Sequence, residues 1–212
     1  MSRLRRTDAV NWSPALAHLA DADPRILPLI ERHGPPTIQP TADAVQSLAR
    51  AIVGQQLSGK AAATIWGRVL ALYPRNKLPP PAAILATPDA ALRGAGLSGA
   101  KTAALKDLAR HVLEKWLVPR RLPGLTDAEV AAVLLPVRGI GPWSVDMFLM
   151  FALARPDVLP VGDLGIRKGM QLHFGLRKLP EPDRMLKLAL PWQPYRTVAS
   201  WYMWRLLEPA TT

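Results

Sequence analysis

The chain has 212 residues, 49% of them hydrophobic, which is enough to bury a full core and too apolar for a largely disordered protein. Twenty-seven Lys and Arg against sixteen Asp and Glu give a net charge of +11, a balance that favours a polyanionic partner, nucleic acid before anionic membrane; a merely soluble basic surface is the plain alternative. The lack of cysteine excludes disulfides, thiolate zinc sites and cysteine-ligated iron–sulfur clusters, and His18, His33, His111 and His173 lack metal-ligand spacing.

The basic start, Met1-Ser2-Arg3-Leu4-Arg5-Arg6, runs into Thr7-Asp8-Ala9 rather than an apolar stretch, so it does not read as a secretory signal. No apolar run reaches the length of a membrane span, and the expectation is a cytoplasmic protein. Residues 9–12 suggest a short extended piece. Val45, Leu48, Ala49, Ile52 and Val53 recur at helical spacing, which predicts a helix over 41–53 capped by Thr41 and ended by Gly54. A second helix is expected over 58–72, ahead of Pro74, and two short ones over 81–86 and 88–93. Ser98 can cap a long helix to residue 116, with Leu105, Leu108, Val112 and Trp116 on one face. Thr126-Asp127-Ala128-Glu129 matches a capping box. Pro142 suits a first helical position after Gly141, Asp163 can open the next helix after Pro160-Val161-Gly162, and the last helix is expected over 194–207. With no convincing strand pair, the class is all-α, and the twenty-two prolines punctuate the helices rather than kink them.

The most informative stretch is Leu135-Pro136-Val137-Arg138-Gly139-Ile140-Gly141-Pro142-Trp143. It reads as two helices joined by a glycine hairpin, 137–141. Glycines there let a phosphate approach the main chain, and amides opening the next helix favour an anion. Ile140 would plug the hairpin into the core. An ordinary helix corner would use the same glycines for tightness. The segment from Leu159 to Lys168 then puts Asp163 at a helix start with Arg167 and Lys168 one turn later. An N-cap aspartate is common. Capping keeps the carboxylate ionised, so structural and catalytic roles are compatible.

Together these residues resemble the helix–hairpin–helix, Gly/Pro-Asp superfamily of DNA base-excision glycosylases. Gly139-Ile140-Gly141-Pro142-Trp143 and Asp163 carry the motif. Ala49-Arg50-Ala51-Ile52-Val53-Gly54-Gln55-Gln56-Leu57-Ser58 resembles the family's helix and DNA-wedge loop, and Ala95-Gly96-Leu97-Ser98-Gly99-Ala100-Lys101 its middle loop and helix. Trp192 to Arg196 and Trp201 to Trp204 resemble its closing helix. The combination is most similar to the 3-methyladenine-DNA glycosylase II, or AlkA-type, branch, in the same order from Ala42 to Leu207.

The resemblance implies two helical subdomains with a DNA-binding cleft between them, built by residues 41–212, and an N-terminal segment, 1–40, packed on that region. It implies a monomer that binds double-stranded DNA with alkylated bases, flips the damaged base out and excises it in base excision repair. Asp163 would be the catalytic anion, stabilising an oxocarbenium-like sugar and orienting water. Trp143, Met147 and Trp204 would form the base pocket, the tryptophans offering faces to a cationic base. Trp12, Trp66 and Trp116 are assigned to packing. Val137, Arg138, Gly139, Ile140 and Gly141 would bind phosphate, with a monovalent Na or K ion held by hairpin carbonyls and no other cofactor. Gln55, Gln56 or Leu57 would fill the gap in the stack, and Ser98, Lys101, Arg167 and Lys168 would touch DNA.

Departures from the family pattern refine this. Lyase members carry a lysine just after the hairpin where this chain has Trp143, which implies a monofunctional enzyme. Gln56 stands where leucine is frequent in the wedge, and Met147 where a pocket tyrosine is frequent. A polar wedge and an adaptable pocket point to broad excision of cationic alkylated bases over neutral, well-paired hypoxanthine. Two alternatives stay open: a non-catalytic helix–hairpin–helix DNA-binding protein, and a glycosylase for deaminated bases.

Overall fold

A computed structural model describes residues 10–208, and among them all regular structure is helical. The basic start and Ala9 lie outside the described residues; Val10 to Trp12 form no strand, and the Val10 amide instead donates to Gln39 Oε1 at 2.7 Å.

The chain divides into two compact units, one made of Met1–Pro40 with Leu149–Thr212 and the other of Thr41–Phe148. The second unit holds α3 (Ala44–Gly54), α4 (Gly59–Ala71), α5 (Pro81–Ala86), α6 (Asp89–Gly94), α7 (Gly99–Leu113) and α8 (Asp127–Leu134). The first holds α1 (Ser13–Ala22), α2 (Leu27–His33), α10 (Leu164–His173), α11 (Pro182–Leu188) and α12 (Arg196–Arg205). The division falls inside α9 (Pro142–Phe151).

Helix starts follow local chemistry. Ser58, Ser98 and Asp163 each accept a hydrogen bond from the amide three residues on, satisfying a donor that has no partner within its helix. Thr126 and Glu129 close the full capping box, and those hydrogen bonds hold the Glu129 carboxyl below its usual range. One cap differs from expectation. Asp43, not Thr41, caps α3 by accepting from Gln46, because the helix begins at Ala44 and leaves Asp43 at the N-cap; the Thr41 hydroxyl accepts from the Asp43 amide. The long helix also stops early. α7 ends at Leu113, Lys115 takes φ 62°, and Trp116 is 61% exposed rather than on the buried face, its ring edge-on to His111.

In the second unit α7 is packed by α3, α5 and α6, and Leu105 and Leu108 are buried with Ile52, Val53 and Trp66. In the first unit Trp12, Leu19, Ile26 and Leu29 form one core with Ile166, Met170, Trp192 and Tyr202. α1, α2 and α11, which the sequence pattern does not reveal, are short and each opens on or next to proline. Their role shows in the buried polar knot of this core. Asp23 is 2% exposed and accepts from His173 Nε2 at 2.7 Å, Trp192 Nε1 at 2.9 Å and Arg25 Nε at 2.6 Å. Burial alone would raise the Asp23 carboxyl, but these three donors outweigh it and hold it below its usual range. Burial pushes the His173 imidazole down despite the facing carboxylate. His173 is the last residue of α10, so the knot ties the N-terminal segment to the helix that Asp163 opens.

Candidate DNA-binding hairpin and candidate acid

The hairpin runs from the end of α8 into α9. The Val137 amide donates to Leu134 O and the Ile140 amide to Val137 O, both at 3.0 Å, so the turn closes on itself. Ile140 and Val137 are buried and Arg138 is exposed. Gly139 takes φ +79°, the left-handed region that favours glycine, and a Cβ there would also sit 3.1 Å from Ala104 Cβ on α7. Among the described residues, neither the Gly139 nor the Gly141 amide donates within the chain. Both are therefore available to an anion at the start of α9.

Three polar side chains brace this turn from within the unit. Asp107 on α7 accepts from the Arg138 amide at 2.9 Å. Gln55 reaches across 84 residues of sequence, its Nε2 donating to Gly139 O at 2.7 Å and standing 3.5 Å from Ser144 Oγ. Lys101 Nζ donates to Val53 O at 2.8 Å and Gln55 O at 2.7 Å, which ends α3 and holds the loop; burial lowers its ammonium below the usual lysine range. Of the three residues expected to form the wedge, Gln55 is thus tied inward. Gln56, at φ 57°, and Leu57 are exposed. Ser98 is exposed and its hydroxyl oxygen caps α7, whereas the Lys101 ammonium is turned to main-chain oxygens.

A monovalent cation at the hairpin would need main-chain oxygens. The carbonyls of Val137 and Gly139 each accept one hydrogen bond and keep a second lone pair, a donor set of the hard type such an ion takes. Among the described residues no group of His, Asp and Glu is arranged to hold a metal.

Trp143, in the first turn of α9, is 45% exposed, and Met147 one turn later is half-buried. Between them, burial pushes the half-buried Asp146 carboxyl from 3.8 up to about 6.

The candidate acid sits in the first unit. Asp163 caps α10, its Oδ1 accepting from the Ile166 amide at 2.8 Å and from Trp204 Nε1 at 2.9 Å. The Phe151 ring stacks on Trp204 with centroids 5.8 Å apart and planes 25° apart. Arg167, expected at DNA, is held by the Pro180 carbonyl and Glu181 at 3.0 Å each, whereas Lys168 is exposed. Sequence reasoning does not reveal Asp107 or Phe151. Asp107 carries no local signal, while Phe151 falls two turns after Trp143 on the same helix.

The chain belongs to the HhH-GPD superfamily of base excision DNA repair proteins, whose family description matches residues 49–194. It is 32% identical over 193 residues to the Schizosaccharomyces pombe DNA-3-methyladenine glycosylase 1, covering 89% of this chain and 84% of the relative. The solved structure of the S. pombe 3-methyladenine DNA glycosylase in complex with abasic DNA superposes with a TM-score of 0.83 at 31% identity, over 93% of this chain and 98% of that one. A DNA-3-methyladenine glycosidase structure from Bacillus halodurans gives 0.81 at 35% identity, over 91% and 88%.

Asp146 makes stability depend on pH. Its folded-state pKa lies above the unfolded value, so the stabilisation is present in acid and is lost as pH rises through about 6. Asp146→Asn should therefore raise the urea midpoint above that of the parent chain at pH 8, with the gap closing by pH 4. A constant gap across that range would contradict the shift.

Proposed function

We propose that this chain is a monofunctional DNA glycosylase that excises alkylated bases of the 3-methyladenine type from duplex DNA in base excision repair. The carrying observation is Asp163: a carboxylate fixed at a helix start by two donors, in a chain of this superfamily about 30% identical to 3-methyladenine glycosylases over most of its length. In this reading it works as a monomer on chromosomal DNA in the cytoplasm.

The division of labour follows from the substrate. A base alkylated on a ring nitrogen is cationic and a good leaving group. The C1′–N bond breaks with its electron pair going to the base, which departs neutral. The sugar is left oxocarbenium-like, and an anion beneath it lowers the barrier. Asp163 supplies that anion, then orients the water whose oxygen adds to C1′ and accepts or relays its proton. Extrusion of the base from the stack comes first. Gln56 and Leu57, both exposed, are the residues suited to fill the vacated gap. Trp143 and Met147 line one side of the base pocket in this account. The hairpin grips the backbone through the Gly139 and Gly141 amides, which position the duplex without reading its sequence. A monovalent cation bound at the hairpin carbonyls would add a point of attachment for phosphate. Within the N-terminal segment, 1–40, the described residues 10–40 serve as part of the scaffold behind Asp163, and the region 41–212 carries the DNA-handling elements.

Trp143 in place of a hairpin lysine supports base release without strand cleavage, because indole forms no imine. The non-catalytic alternative is disfavoured by the second donor on Asp163: capping α10 needs only the Ile166 amide, whereas the Trp204 N–H also fixes the carboxylate.

Single-turnover assays on 3-methyladenine, 1-methyladenine and hypoxanthine duplexes test the reaction class and its range. Asp163→Asn should slow release by about 100- to 1,000-fold while abasic-DNA affinity is retained. Borohydride should trap no enzyme–DNA adduct. Release within about threefold of the parent chain, or a robust trapped adduct, would overturn the assignment. Hypoxanthine released fastest would overturn the expected preference for cationic bases.

Gly139→Val tests the hairpin. It should weaken binding to damaged and undamaged duplex equally, because a main-chain phosphate contact carries no base information, while the log–log salt slope, which reports Lys and Arg contacts, stays close to the parent's. Unchanged affinity for both duplexes would remove the hairpin from DNA binding.

A further inference from the structure

We propose that Gly165 and Trp204 are positioning residues for Asp163. The missing side chain at 165 lets the Trp204 indole reach the carboxylate, and Trp204 serves the acid rather than stacking on the base. The inference rests on the reading of Asp163 as the catalytic anion.

Gly165 and Gly169 lie four residues apart on one face of α10, the face turned to α12. Neither takes a positive φ, so glycine is not there for backbone conformation. Glycine is also a poorer helix former than alanine. Space explains both. A Cβ at 169 would lie 2.2 Å from the Met203 carbonyl oxygen and 2.7 Å from its carbon. A Cβ at 165 would lie 2.8 Å from Trp204 Cδ1 and Nε1, and 3.0 Å from Asp163 Oδ1. The first glycine sets how closely the helices approach, and the second clears the one volume through which the indole N–H meets the acid.

The indole is fixed on two sides. Its N–H, a donor with no acceptor capacity, is committed to Asp163 Oδ1 at 2.9 Å, and Phe151 covers one ring face. The same oxygen takes the Ile166 amide, so a main-chain donor and a side-chain donor converge on it. Main-chain capping alone is found at many helix starts. The second donor, together with a glycine that a Cβ would turn into a clash, marks this carboxylate as one whose orientation matters.

The experiment uses the full chain with Trp204→Phe, Gly165→Ala and the double variant. Phenylalanine keeps a ring against Phe151 and removes only the N–H. The release rate at saturating enzyme should fall about 10- to 100-fold in each single variant, with affinity for abasic duplex within about threefold of the parent. The double variant should be no slower than Trp204→Phe, because Gly165 acts through the indole. In nitrogen–proton spectra the Trp204 indole signal, identified by its loss in Trp204→Phe, should move upfield in both Gly165→Ala and Asp163→Asn as the charge-assisted hydrogen bond is lost. If Gly165→Ala does not fold, Trp204→Phe and the Asp163→Asn spectrum decide. A parent-like rate for Trp204→Phe, where Asp163→Asn is slow, would overturn the proposal, as would an indole signal indifferent to Asp163→Asn. The spectrum needs no activity, so it stands apart from any failure of the glycosylase reading.

Discussion

Two absent methyl groups set the spacing between α10 and α12. At Gly169 the Met203 backbone occupies the volume a side chain would need, and at Gly165 the Trp204 indole occupies it. Close approach brings the indole N–H onto Asp163, which already caps α10. The opposite end of α10 is held by His173 in the buried knot with Asp23 and Trp192. The helix that presents the acid is therefore fixed at both ends and along one face. In the proposed reaction such rigidity is an advantage, because a preorganised charge needs no rearrangement when the sugar turns positive.

The second unit solves a different problem with main-chain chemistry. Its candidate phosphate site is a turn whose polar groups are directed by side chains behind it: Asp107 holds the Arg138 amide, Gln55 the Gly139 carbonyl, and Lys101 the loop that carries Gln55. Net charge alone does not say how each cation is used within the fold. Lys101 and Arg167 are both basic and both expected at DNA, yet each is bonded to the protein's own oxygens. In the proposed function the charge of +11 attracts the polyanion and the hairpin amides fix its register.

What is legible in the sequence is mostly local. Ser58, Ser98, Thr126 and Asp163 can be placed as caps because capping bonds span only three residues. Pro142 can be placed at the start of α9 because its fixed φ suits a first helical turn. Thr41 is easily mistaken for the cap of α3 because two acceptors stand close together and only geometry chooses Asp43. Trp116 is drawn onto the buried face by helical periodicity, which continues on paper after the backbone has turned at Lys115. The roles of Asp107 and Gly165 depend on partners 31 and 39 residues away, which no window on the sequence contains. The paired glycines at 165 and 169 are visible, but their meaning requires α12 beside them.

In the proposed mechanism Asp163 stabilises positive charge at the sugar. The most direct test is the affinity of the chain for two duplexes that differ only at one abasic site, a cationic pyrrolidine in one and a neutral tetrahydrofuran in the other. A mimic of the transition state should bind at least about 100-fold more tightly than its uncharged counterpart, and Asp163→Asn should erase that preference by weakening only the cationic complex. Equal affinity of the parent chain for the two duplexes, or a preference that survives Asp163→Asn, would contradict the account.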